Sequence, residues 1–149
     1  MPEKHILLVE DDEDQVILIR EALRIHGVTA EVKRARDGEE ALDMLASCDG
    51  HGAVWPDVVF LDLKMPRMNG FEVLKHIRAD DGTRLLPVVI FSSSVLEEDV
   101  RNAYLSGANS YVKKFTSFKE FSGAVGLMAS YWLGLNEPAL AAAPAGPLQ

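Results

Sequence analysis

The chain has 149 residues, 48% of them apolar, and a formal net charge of -8, which fits one globular domain and leaves no room for a second. The negative charge, with no Lys/Arg cluster along any segment, argues against a nucleic-acid-binding surface. A lone cysteine, Cys48, excludes an intrachain disulfide, no long apolar signal segment opens the chain, and no apolar run nears the roughly 20 residues that span a bilayer, so a cytoplasmic protein is expected.

Short β-rich runs alternate with helical stretches. Residues 5–9 predict a strand and 14–26 a helix stopped at Gly27. Asp12, Glu13 and Asp14 suit the positive start of that helix. A more polar strand follows over 29–35, where Glu31 and Lys33 mark a sheet edge. Residues 38–46 predict a helix and 57–61 a buried strand. Val73, Leu74 and Ile77 place a helix over 71–78, and a β-branched strand occupies 88–91 after Pro87. A helix over 97–106 ends at Gly107, and a strand over 110–112 and a helix over 117–133 complete the series. Strands separated by helices predict an α/β fold, a flavodoxin-like, doubly wound, five-stranded parallel sheet of order 2-1-3-4-5. This domain takes residues 1–135, and the Ala- and Pro-rich residues 136–149 read as a disordered tail. Asp37-Gly38 and Asn69-Gly70 read as tight turns.

The apolar runs stop at chemically capable side chains: Glu10 and Asp11 after the first strand, Asp62 after the third, Ser92 after the fourth and Lys114 after the fifth. Open α/β sheets bind ligands just outside those strand ends. Glu10, Asp11 and Asp62 should therefore share one cavity, and a hard divalent cation is the usual relief of their repulsion. Mg²⁺ is the expected ion, taken by Asp11 and Asp62 directly, by Glu10 through water and by the backbone carbonyl of Lys64. Lys114 adds a compact positive charge and Ser92 a hydrogen-bond donor. A carboxylate nucleophile, a metal, an ammonium and a hydroxyl are the parts that phosphoryl transfer needs, with Asp62 becoming an aspartyl phosphate. A nucleotide or flavin site is not expected, because the first strand is followed by acids in place of a Gly-rich loop. Asp62-Leu63-Lys64 lacks a second acid two residues on, which argues against a phosphoaspartate phosphatase, and His5, His26, His51 and His76 are scattered too singly to imply zinc.

From Lys4 to Leu133 these residues resemble the receiver domain of two-component response regulators. The resemblance is carried by the acidic doublet, by Asp62 with Met65-Pro66 and Asn69-Gly70 after it, by Ser92 after Pro87-Val88-Val89-Ile90-Phe91, and by Lys114 after Gly107-Ala108-Asn109-Ser110-Tyr111-Val112. It implies that Asp62 is the phosphoacceptor, Glu10 and Asp11 the metal acids, Ser92 the switch hydroxyl, Tyr111 the aromatic switch and Lys114 the lysine on the phosphate. The implied donor is the phosphohistidine of a sensor histidine kinase, and the implied chemistry is Mg²⁺-dependent self-phosphorylation and autodephosphorylation. Three features depart from the family pattern: Glu10 replaces the more frequent Asp, Phe115 stands where Pro is usual, and Ser92-Ser93-Ser94 adds hydroxyls beside the site. Trp55-Pro56, Arg78-Ala79-Asp80-Asp81 and Tyr131-Trp132-Leu133 resemble, more narrowly, stand-alone receivers paired with bacterial phytochrome kinases. Two alternatives stand beside the single-domain phosphoacceptor: an interaction module that signals without phosphate, and a shuttle that passes phosphate to a downstream His-containing protein.

In the last helix Phe118, Phe121, Val125, Met128 and Trp132 follow a heptad-like spacing, and Ala124, Leu127 and Tyr131 add apolar surface beside them. One face must pack on the sheet. The excess predicts a homodimer through the fourth helix, fifth strand and fifth helix, with core packing alone as the competing explanation.

Overall fold

The computed structural model describes residues 3–48 and 54–139. Residues 140–149 of the tail expected over 136–149, and the surface role expected for His51, lie outside the described residues.

The element order is β1 (Lys4–Val9), α1 (Glu13–Ile25), β2 (Ala30–Ala35), α2 (Gly38–Ala46), β3 (Val58–Leu61), α3 (Gly70–Ala79), β4 (Val88–Ser92), α4 (Glu97–Leu105), β5 (Ser110–Lys113) and α5 (Phe118–Ser130), followed by a π-helical turn over Tyr131–Leu135. The strands pair in parallel in the order β2-β1-β3-β4-β5, as the alternation predicts. Strands β3 and β4 are buried along their whole length, which their unbroken apolar sequences require. Strand β2 alternates between half-buried and exposed residues, as an edge strand does.

Two cores flank the sheet. One packs Ala41 and Leu45 of α2, Val73, Leu74 and Ile77 of α3, and Ala103 of α4 against the strands. The other packs Val16, Ile19 and Leu23 of α1 with Phe121, Val125 and Met128 of α5. The last three were the centre of the predicted dimer stripe, and that assignment needs correcting. They are 3%, 0% and 5% exposed within the chain's own fold, because α5 lies beside α1 and covers the rest of the same sheet face. Phe118 remains 40% exposed, Trp132 packs partly against the same core, and Leu127 and Tyr131 face outward.

Helix starts explain several polar residues. Asp12 caps α1 by accepting from the Asp14 amide at 2.9 Å. The two expected tight turns are helix caps instead. Asp37 accepts from the Glu40 amide at 2.8 Å, and Asn69 and Glu72 bond each other's amides at 3.0 and 3.3 Å as a capping box. Asp and Asn serve both turns and caps, because each side chain can accept from an amide two or three residues on. Gly70 begins α3 where a Cβ would lie 2.3 Å from the Asp62 carbonyl oxygen, so the smallest residue lets the helix start press against the strand end.

Candidate functional site

The carboxyl ends of β1, β3, β4 and β5 bring together Glu10, Asp11, Asp62, Ser92 and Lys114. Adjacent strands tie these ends by backbone bonds: the Asp62 amide donates to the Val9 carbonyl at 3.0 Å, the Glu10 amide to the Ala35 carbonyl at 3.1 Å, and the Lys114 amide to the Ser92 carbonyl at 2.8 Å. Carboxylate oxygens of Glu10, Asp11 and Asp62 lie within 4.8 Å of one another. Glu10 is 1% exposed and Asp62 8%, whereas Asp11 faces solvent. An open cavity of about 550 Å³ is lined by these acids together with Lys64, Ser93 and Lys114.

Lys114 supplies the cation within this group. Its Nζ forms a close ion pair with Glu10 Oε1 and lies 3.8 Å from Asp62 Oδ1. Without a bound cation, burial pushes the Glu10 carboxyl up to about 7, Lys114 pulls it down, and the Asp62 charge raises it further. Burial likewise raises Asp62, against the opposing pull of Lys114, a bond from Glu10 and the Lys64 amide. One ammonium does not offset the burial of carboxylates this close together. The donor set is all oxygen, carries excess negative charge and opens to solvent at Asp11, so these residues fit a hard divalent cation.

Around this centre the β4–α4 connection forms a short network. Ser92 is fully buried and its Oγ accepts from the Ser94 amide at 3.2 Å, while Ser93 lines the cavity. Ser94 Oγ donates to Asp99 Oδ2 at 2.6 Å, and the Lys64 ammonium lies 3.5 Å from the same oxygen. Tyr111 donates its hydroxyl proton to the Ser94 carbonyl at 2.8 Å. The two residues expected to act as a switch thus both bond the backbone of Ser94. No described peptide bond is cis, so the bond from Lys114 to Phe115 is trans.

Sequence reasoning missed Arg34 and Asp99, and it named Ser94 only as an added hydroxyl beside the site, not as the residue that joins Ser92 to Tyr111. Arg34 left a faint signal: in β2 the half-buried positions are Ala30, Val32 and Arg34, so an arginine points inward where the alternation calls for an apolar side chain.

The chain matches the response regulator receiver domain over residues 6–125 and belongs to that family. It is 40% identical over 131 residues to the probable methanogenesis regulatory protein FilR2 of Methanothrix harundinacea, covering 88% of this chain and 84% of that protein. Among solved structures it resembles the phosphorylated cyanobacterial phytochrome response regulator RcpA, with a TM-score of 0.84 at 34% identity over 92% of this chain and 99% of that one. The Mn²⁺-bound form of response regulator Rcp1, a Synechocystis protein, gives a TM-score of 0.82 at 31% identity over 91% of this chain and 99% of that one. Among the described residues no helix is long and apolar enough to cross a membrane.

Proposed function

We propose that the chain is a phosphorylation-controlled switch that takes a phosphoryl group on Asp62 from the phosphohistidine of a sensor kinase. The observation that carries this reading is the convergence of one buried acceptor carboxylate, two further acids and one ammonium on a single cavity. An Asp62 carboxylate oxygen attacks phosphorus, the P–N bond to the kinase imidazole breaks as the P–O bond forms, and the departing imidazole takes up a proton. Asp11 and Asp62 directly, Glu10 through water and the Lys64 carbonyl would hold Mg²⁺, which when bound neutralises charge on the transferring oxygens. Lys114 leaves Glu10 to pair with the new phosphate, and the Ser92 hydroxyl turns towards it.

Phosphate adds about -1.5 to -2 charge and three strong acceptors, enough to draw Ser92 inward. Because the Ser92 hydroxyl and the Tyr111 hydroxyl both bond Ser94, that movement reaches the face formed by α4, β5 and α5. A homodimer formed there would use the exposed Leu127 of α5, Tyr131 of the turn after it and Tyr104 of α4, and sedimentation showing only monomer with and without phosphorylation would reject it. The likeness to phytochrome response regulators supports a light-sensing kinase as donor. Transfer of labelled phosphate from such a kinase should reach the wild type, change between red and far-red illumination, and be absent in Asp62→Asn. Partner binding left intact by Asp62→Asn would favour the phosphate-independent module instead.

A further inference from the structure

We infer that Arg34 is a positioning residue for the cation site: its guanidinium fixes the peptide carbonyls of Glu10 and Asp11, and through them sets where the acids point. The inference rests on the metal reading of that site.

Arg34 lies in register with Leu8 of the neighbouring β1, two residues short of Glu10. Its side chain is 15% exposed. The Nε–H donates to the Glu10 carbonyl at 3.1 Å and Nη2 to the Asp11 carbonyl at 3.1 Å, so one rigid planar fork spans two successive peptide units. The third nitrogen, Nη1, lies 3.5 Å from a Glu13 carboxylate that is 79% exposed, and an ion pair so open to water holds little. Glu13 begins α1, and a cation is disfavoured beside the positive start of a helix. The arginine is therefore held there by the two carbonyls.

The backbone around Asp11 is gripped from both sides. In the peptide joining Asp11 to Asp12, Arg34 holds the carbonyl and Glu10 Oε2 accepts from the amide at 3.3 Å. The Glu10 carboxylate has Lys114 as a second anchor. Among the described residues no bond reaches the Asp11 carboxylate, so its direction follows from the backbone that Arg34 fixes. No other described side chain donates to the carbonyls of Glu10 or Asp11.

Positioning and plain electrostatics predict opposite signs. A nearby positive charge by itself repels a divalent cation, so removing it should tighten binding. Loss of a group that orients metal ligands typically weakens metal affinity 10- to 100-fold. The test is Mn²⁺ affinity, read by electron paramagnetic resonance and by calorimetry on the full chain, for wild type, Arg34→Gln, Arg34→Lys and the charge control Lys33→Gln. Melting in chelator establishes that each variant is folded at the binding temperature. Positioning predicts that Arg34→Gln and Arg34→Lys both lose about tenfold in affinity or more, while Lys33→Gln stays near wild type. Tighter binding by Arg34→Gln, or wild-type affinity in the charge-preserving Arg34→Lys, would overturn the inference. A wild type that binds no Mn²⁺ would overturn the metal reading and the role of Arg34 with it.

Discussion

At the carboxyl end of the sheet Glu10, Asp11 and Asp62 share the ammonium of Lys114, whereas at the amino end Arg78 has no carboxylate partner among the described residues and needs none. Its guanidinium donates to the carbonyls of Gly107, Arg84 and Leu86 at 2.8, 2.9 and 2.8 Å and to Asn109 Oδ1 at 2.8 Å. Asn109 Oδ1 also accepts from the Val88 amide at 2.8 Å, so α3, β4 and the approach to β5 are stitched together. Burial lowers the pKa of Arg78, but every bond it makes is to a fixed neutral acceptor. Around Arg78 the polar groups are matched without a second charge. The carboxyl end holds charge that its own side chains leave uncompensated, which suits the cation and the phosphate proposed for it.

The widest separation between the two ends should come from Arg78→Met. Loss of four bonds, two of them half-buried, leaves carbonyls unsatisfied and should cost about 2–4 kcal/mol in denaturant unfolding, with Mn²⁺ affinity unchanged. A parallel loss of affinity would break the contrast. Gly70→Ala should strike the carboxyl end instead, because the added Cβ meets the Asp62 carbonyl oxygen at 2.3 Å and Leu63 Cα at 2.8 Å, both backbone atoms. Overpacking of this kind costs about 1–3 kcal/mol, and phosphorylation with a small phosphodonor should slow out of proportion because the acceptor peptide itself must shift.

The smallest effect sharpens the electrostatic side of the contrast. Glu10 is raised from its ordinary 4.5 to about 7, so between those values the folded state keeps a proton that the unfolded state has lost. Its contribution to stability is therefore present below about 4.5 and is lost as pH rises through about 7. Thermal melts in chelator should fall between about pH 4.5 and about pH 7, Glu10→Gln should flatten the fall, and divalent cation should raise the melting temperature more at the alkaline end. An equal fall in Glu10→Gln would place the titration elsewhere.

Much of this was legible in the sequence because it depends on local, periodic signals. Buried strands such as Val58–Leu61 and Val88–Ser92 carry unbroken apolar runs, which stop at Asp62 and Ser92. The sheet order then brings those ends together without further information. Three things were not legible. An apolar helix stripe does not state which of two surfaces it covers, so Phe121, Val125 and Met128 suited a dimer until the α1–α5 layer claimed them. Asp37 and Asn69 have the chemistry of a turn and of a cap alike, and only the following helix decides. Arg34 and Arg78 act on carbonyls 23 to 31 residues away or on irregular loops, and such contacts leave no period in the chain.

The central claim is that Asp62 takes a phosphoryl group in a metal-dependent reaction. Intact-protein mass after incubation with acetyl phosphate and Mg²⁺ tests it most directly, comparing wild type, wild type with chelator and Asp62→Asn. One phosphoryl adduct on the wild type, lost with chelator and absent in Asp62→Asn, is the predicted result. An adduct that persists in Asp62→Asn, or no adduct on a wild type that binds the metal and has also been offered a phosphorylated histidine kinase, would contradict it.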